Sequence, residues 1–509
     1  MPQGSLFVAS SNEGLNLEGA GRLLNGQRPY VDFFGHASPG AYLYQSLVFR
    51  LAGRSLSSAR SLVIAYQSLQ IALLFWLVAT CASRLAAWSA IWIYAAIETA
   101  DAVQLTAHHR WDSSSLGFLW IAMSLAGARR GPLWWMFTGL VAAAAVIATP
   151  TAGLFVLVTA VWLLLERRIA AAVSYVGGAA IGVAPVIVWM ASRGLFSEGR
   201  FGGYVGFLRF MRANYAEANA TPYGYIGGGW LNLFDFGQAS MAEILVRFPI
   251  VLCLGLPALA PVIGLGGWIW WAWRGRDLPV PASAAWYLVA CQSAMLIYSI
   301  PRVDLSHLAY TSAFACALSA VWIAWQLPRK LAAGVALFLI VGSLAFVYRR
   351  ASVNAGARRV ETPIGSVLVP AVYQSDVTTL LSSVHAGDTM FVYPFMPSLG
   401  FLTQARNPTS FLFIQPGMMK DAEERALMED LRSSRPRWIL WFPSTREQFL
   451  GAFPGASRLA YHYPRIEDWI EANYVMRAKL PGIAYNLWEV QPPIEGFNVR
   501  GEPAAVSAP

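Results

Sequence analysis

Three polar stretches interrupt an otherwise apolar chain, and each carries side chains able to move protons or hold anions. The first is Ser11–Tyr44, SNEGLNLEGAGRLLNGQRPYVDFFGHASPGAYLY, with Asn12, Glu13, Asp32 and His36. The second, His108–Ser115, brings His108, His109, Arg110 and Asp112; the third, Pro301–His307, brings Arg302, Asp304 and His307. A carboxylate can take a proton from an attacking hydroxyl, and cationic groups suit phosphate. Each residue also has a plainer reading. Asn12 can cap a helix, with Glu13 complementing its dipole, and Glu18 and Arg22 form an i,i+4 pair. Asp32 can close a turn, the two adjacent histidines can anchor at an interface, Arg110 can pair with Asp112, and Asp304 can cap the helix that His307 enters. A Gly- and Tyr-rich segment, Ser192–Glu243, reads as an interfacial belt or a lid, with Arg200, Arg209 and Arg212 available to an anionic headgroup. No phosphate-binding Gly-Lys-Ser/Thr loop, HExxH or GxSxG motif occurs, so nucleotide-driven chemistry has no support.

The elements that must position these residues are membrane spans. Of 509 residues 56% are hydrophobic and 13% charged, about half the charge of a typical soluble domain. Apolar runs of membrane-spanning length lie at about Ser58–Ala82, Ala87–Ala107, Ser113–Ala126, Leu133–Thr149, Ala152–Leu165, Ala170–Met190, Ile244–Trp273, Ala282–Ile300, Leu308–Gln326 and Leu331–Tyr348. The expected fold is an α-helical polytopic membrane protein of about ten transmembrane helices. The net charge of +9 is then no nucleic-acid footprint, because it collects beside the spans. Alternate short loops carry Arg84, Arg129-Arg130, Arg167-Arg168, Arg274 with Arg276, and Arg329-Lys330, which places them in the cytoplasm. The three chemistry-bearing stretches then share the outer face, where such clustered ionisable residues at a membrane border point to a site.

The expected domains are 1–57, an outer catalytic loop with amphipathic juxtamembrane helices; 58–350, the helical membrane domain; 351–493, an outer α/β domain; and 494–509, a disordered tail. The α/β assignment rests on strand-like runs at Thr389–Tyr393, Trp438–Phe442 and Ile483–Val490 alternating with charged helical stretches at Lys420–Ser433 and Ile466–Tyr474. Met1–Ser10 does not read as a signal peptide. Either this tail crosses unaided or a first helix precedes it. Cys81, Cys253, Cys291 and Cys316 all fall in spans and imply no disulfide framework.

These stretches resemble the GT-C superfamily of polyprenyl-phosphate-dependent glycosyltransferases, particularly bacterial relatives of protein O-mannosyltransferases and lipid A aminoarabinose transferases. The similarity lies in Asn12-Glu13, Tyr30-Val31-Asp32-Phe33 and Ala37-Ser38-Pro39-Gly40 of the first loop, Arg110-Trp111-Asp112 of the second, and the late Arg302–Leu308 run RVDLSHL. The resemblance implies transfer of a sugar from a polyprenyl-phosphate donor to a glycan, lipid or protein acceptor, outside the bacterial cytoplasmic membrane, by one inverting displacement. It implies Glu13 as base, because the family's first carboxylate is Asn12 here, with Asp112 orienting base or acceptor. Arg110, Arg302 and His307 would hold phosphate, with Asp32, His36, His108, His109 and Asp304 also lining the substrate site. The family's Lys is Ala37, with His36 or Arg110 as substitutes, and a divalent metal between His36 and His307 is an open option. A lipid-linked-sugar flippase and a non-catalytic sugar-lipid binder are the alternatives.

Overall fold

The computed structural model describes residues 5–8, 11–100, 102–223, 225, 240–275, 282–300, 302–353, 356–394, 396–415 and 417–491; the expected tail at 494–509 lies outside these. The opening loop folds as two helices, α1 (Ser11–Leu24) and α2 (Pro39–Ala52). Gly26, at φ 84°, turns the chain after α1, and Pro39, pre-set for the first helical turn, follows Ser38 into α2.

Each expected apolar run is mostly helical among the described residues: α3 (Leu56–Cys81), α4 (Arg84–Ala100), α5 (His109–Ala126), α6 (Pro132–Ala148), α7 (Gly153–Leu165) and α8 (Ile169–Ser192). After the short α9 (Gly203–Phe210) and α10 (Ala216–Ala218) come α11 (Met241–Trp273), α12 (Ala282–Tyr298), α13 (Leu305–Ala309), α14 (Ser312–Gln326) and α15 (Arg329–Val353). Among the described residues four helices are long and apolar enough to cross a membrane, at Leu56–Cys81, Ile169–Ser192, Arg247–Trp271 and Arg329–Tyr348. Shorter apolar helices at Pro132–Ala148, Pro150–Leu165, Ser283–Tyr298 and Ser312–Gln326 pack among them. The bundle shows bilayer logic: Leu165, Val188, Trp273 and Phe338 stand largely exposed, while the helix contacts use small residues. On α6 and α8 a Cβ at Gly139 would sit 2.0 Å from the Tyr175 carbonyl oxygen, and one at Gly178 2.1 Å from that of Met136.

The bundle has two chemically distinct ends. At one, Arg168 donates to the Gly127 carbonyl at 3.1 Å and Trp325 to that of Cys81 at 2.7 Å, which gathers the basic turns. At the other, where α3 and α5 begin, α1 and α2 meet the C-terminal domain. There Phe7 N–H donates to Leu368, Phe34 N–H to Ser410 and Leu412 N–H to Phe34.

The C-terminal domain opens with a hairpin, β1 (Arg358–Thr362) and β2 (Gly365–Val369). It continues through α16 (Gln374–Ser383), β3 (Met390–Tyr393), α17 (Ser398–Thr403), α18 (Asp421–Ser434), β4 (Trp438–Trp441), α19 (Arg446–Ala452), α20 (Pro464–Asn473), β5 (Tyr474–Leu480) and β6 (Tyr485–Val490). The sheet order is β3-β4-β6-β5, with β3 and β4 parallel and the other pairs antiparallel. The hairpin and β5 were not foreseen. β1 and β5 are polar, with exposed residues dominating RRVET and VMRAK, and β2 is a five-residue GSVLV, too short for a periodic signal.

Candidate functional site

A cavity of about 620 Å³ opens where the three polar stretches converge. Asn12 and His36 from the first, His108, His109 and Arg110 from the second, and Arg302 and His307 from the third all line it. The C-terminal domain closes one side with Met396, Phe413 and Gln415. The Ser192–Glu243 segment supplies a further wall through Phe207, Met211, Arg212, Tyr215 and Asn219. Residues Met211–Tyr215 form a π-helical turn there, a widened geometry frequent at functional sites.

Four carboxylates expected here stand elsewhere, each for a local reason. Glu13 does not line the cavity: its carboxylate is fully buried and held by Arg60 of α3 at 2.7 and 2.8 Å, and it accepts from Ala107 N–H at 2.9 Å. Those bonds take up most of the acceptor positions of its carboxylate. Asp112 follows Arg110 by two residues, which on a helix is roughly the opposite face; its carboxyl interacts with the Tyr66 phenol of α3. Asp32 is half-exposed and pairs with Arg28 at 3.0 Å; contact with Arg28 prevails over partial burial and draws its carboxyl below the usual range. Asp304 lies just behind the wall, bonded to Arg302 Nε at 2.5 Å and His307 Nδ1 at 2.7 Å. Among the described residues that line the cavity, none is a carboxylate.

Cationic and imidazole groups dominate instead. Arg110 donates through Nη1 to the Tyr298 carbonyl at 3.1 Å, and its guanidinium lies 4.5 Å over the Tyr298 ring. Its Nε, like His109 Nδ1, is buried with no partner among the described residues. A buried guanidinium N–H without an acceptor is rare, and beside a cavity it suits an anionic ligand. Arg302 also donates to Asn219 Oδ1 at 3.2 Å. His36 packs against Phe413 and Tyr215, with ring centroids 4.9 and 5.5 Å away. Burial, aided by Arg302, pushes its imidazole down to about 3. Among the described residues no group of three or more His, Cys, Asp or Glu is placed to hold a metal ion, although His36 and His307 both line the cavity.

The His36 shift has a testable sign. In the unfolded chain the imidazole titrates near 6.5, so that chain binds the proton first as pH falls. Stability is therefore full above about pH 6.5 and declines below it. His36→Phe should remove about 1–2 kcal/mol of the stability lost between pH 7 and 5, a figure kept low because the ring is partly open to cavity water. Thermal unfolding at the two pH values reads this directly, and an unchanged pH dependence would discount the buried neutral imidazole.

Arg60, Tyr215, Asn219, Gln415 and Tyr310 went unnoticed in the sequence. For Arg60 a signal existed: an arginine in the first turn of an apolar span demands an anionic partner.

No family model matches the chain, and no curated protein does. Among solved structures, ArnT from Cupriavidus metallidurans bound to undecaprenyl phosphate aligns over 96% of this chain and 94% of its own, with TM-score 0.55 and 11% identity. The same protein in the apo state aligns at TM-score 0.42 and 12% identity over 95% and 94%. The Archaeoglobus fulgidus oligosaccharyltransferase in complex with Zn and sulfate aligns at TM-score 0.48 and 9% identity, over 86% of this chain and 65% of that one. At 11% identity the likeness to the undecaprenyl-phosphate-bound ArnT structure speaks for architecture alone: the chain shares that fold, a helical membrane bundle carrying a small C-terminal sheet domain.

Proposed function

We propose that this chain is a membrane glycosyltransferase that moves a sugar from a polyprenyl-phosphate donor to an acceptor hydroxyl. The carrying observation is the cavity's charge. Arg110, Arg212 and Arg302 line it with four imidazoles and, among the described residues, no carboxylate. A phosphate monoester fits that lining, and the solved ArnT whose fold it shares is bound to undecaprenyl phosphate. Cations fixed beside the leaving oxygen would stabilise the polyprenyl phosphate as it departs. The domain roles, the outer placement of the cavity and the bacterial cytoplasmic membrane belong to this proposal.

Binding of undecaprenyl phosphate to the purified protein tests it. Arg302→Ala or Arg110→Ala should weaken binding about 10- to 100-fold, the worth of one charge-assisted hydrogen bond. Wild-type affinity in both variants would remove the cavity from the proposal. A second reading, a non-catalytic sugar-lipid binder, is favoured by Asn12 facing the cavity while Glu13 is tied to Arg60. It predicts donor binding without release of polyprenyl phosphate.

A further inference from the structure

We propose that His307, oriented by Asp304, takes the proton from the acceptor hydroxyl, which rests on the reading of this cavity as the transfer site. Direct displacement at the anomeric carbon needs a proton acceptor beside the incoming oxygen. The cavity offers Asn12, whose amide is no base, and imidazoles. These imidazoles are not equivalent. His108 accepts Arg110 N–H on Nδ1 at 3.1 Å, so Nε2 carries the hydrogen and turns a donor outward. His36 is packed between aromatic rings, and His109 Nδ1 meets no partner among the described residues.

His307 is built differently. Asp304 caps the N-terminus of α13, accepting His307 N–H on Oδ1 at 3.0 Å. The same oxygen lies 2.7 Å from His307 Nδ1, while Oδ2 is held by Arg302 Nε. An ionised carboxylate only accepts, so the ring hydrogen sits on Nδ1 and Nε2 is left bare at the cavity wall. One Asp thus fixes the backbone, rotamer and tautomer of the imidazole, the arrangement by which a third group orients a general base.

The charged and titratable groups around the ring agree. Burial works to raise the Asp304 carboxyl, but His307 and Arg302 prevail and hold it well below the ordinary range. Burial, with Arg302 and Arg110 nearby, outweighs Asp304 and keeps the His307 imidazole below its usual value, so it is neutral and able to accept at neutral pH. The Tyr310 and His108 rings are further titratable neighbours, their centroids 6.3 and 6.4 Å from that of His307, and His109 interacts with His307 electrostatically.

In the step itself, the acceptor oxygen bonds to the anomeric carbon as its proton passes to His307 Nε2. The bond from that carbon to the phosphate oxygen breaks, and its electron pair leaves on polyprenyl phosphate. The imidazolium, held between Asp304 and the cavity, returns its proton to water when product exits.

The test is release of undecaprenyl phosphate by the full-length protein in nanodiscs, using undecaprenyl-phosphate pentoses and hexoses with water or added hydroxyl acceptors. His307→Gln should lower kcat about 10²- to 10⁴-fold while the Kd for undecaprenyl phosphate changes less than about threefold, far below the loss of one phosphate bond. Added imidazole should restore activity to His307→Gly. Asp304→Asn should lower kcat and move the acidic limb of the pH–rate profile to lower pH, a change that a packing role alone would not cause. His307→Gln retaining a third or more of the wild-type kcat, or Asp304→Asn leaving the profile in place, would overturn the assignment of the base. A wild-type protein that binds undecaprenyl phosphate no better than Arg302→Ala and turns over none of these donors would overturn the functional reading instead.

Discussion

Glu13→Gln should cost about 3–5 kcal/mol of stability, because it leaves the Arg60 guanidinium buried without its counter-charge. Both side chains are 1% exposed and joined through two nitrogen–oxygen contacts. Arg60 also donates to the Leu6 carbonyl, and Glu13 to Ala107 N–H is the acceptor, so one ion pair ties the chain's start, α1, α3 and the approach to α5. Removing both charges, as Glu13→Leu with Arg60→Met, should recover most of the loss, since apolar replacements of a buried pair are often neutral. Thermal unfolding of the three proteins in detergent decides. A stable Glu13→Gln protein with a 100-fold lower kcat would instead restore Glu13 to the chemistry and count against His307.

The second large effect is expected at Gly14, where α1 crosses the start of α17. A Cβ there would lie 2.0 Å from the Ser398 amide nitrogen and 2.5 Å from the Pro397 carbonyl carbon. Both obstacles are backbone, so no side chain can swing aside. Gly14→Val must push α1 away from the C-terminal domain by roughly an ångström, and misplacement on that scale costs about 10²-fold in rate. Asn12 and Glu13 would shift with it, while Arg110, Arg302 and His307 sit on other elements. Turnover should therefore fall much further than undecaprenyl phosphate affinity. Equal losses in both would show that α1 does not act separately on the reaction.

The two predictions mark what could be read from the chain alone. Membrane helices announce themselves through run length, and α3 begins within two residues of its expected start at Ser58 because apolar content and the Ser55 capping box agree. The gathering of the three polar stretches followed from alternating loop charge. Which side chains faced inward did not. Asn12 and Glu13 are neighbours about 100° apart on one helix, and only the position of Arg60, 47 residues on, sends the carboxylate away from the cavity. Asp112 turned away for a similar reason, toward Tyr66. The Asp304–His307 pair was legible as a spacing of three, but its orientation came from the cap geometry of α13.

The bridge between Leu6 and Leu368, with the bonds of Phe34 to Ser410 and Leu412, sets an order on biosynthesis. The opening helices can meet Arg60 as soon as α3 is inserted. Their remaining partners emerge some 350–400 residues later, which at elongation rates of about 5–20 residues per second is a delay of roughly 20–80 seconds. Throughout that interval Asn12 and His36 stand beside an unfinished wall. The pocket becomes whole only when Met396, Phe413, Gln415 and Phe453 have emerged, so the newborn chain has no closed cavity until its C-terminal domain has folded.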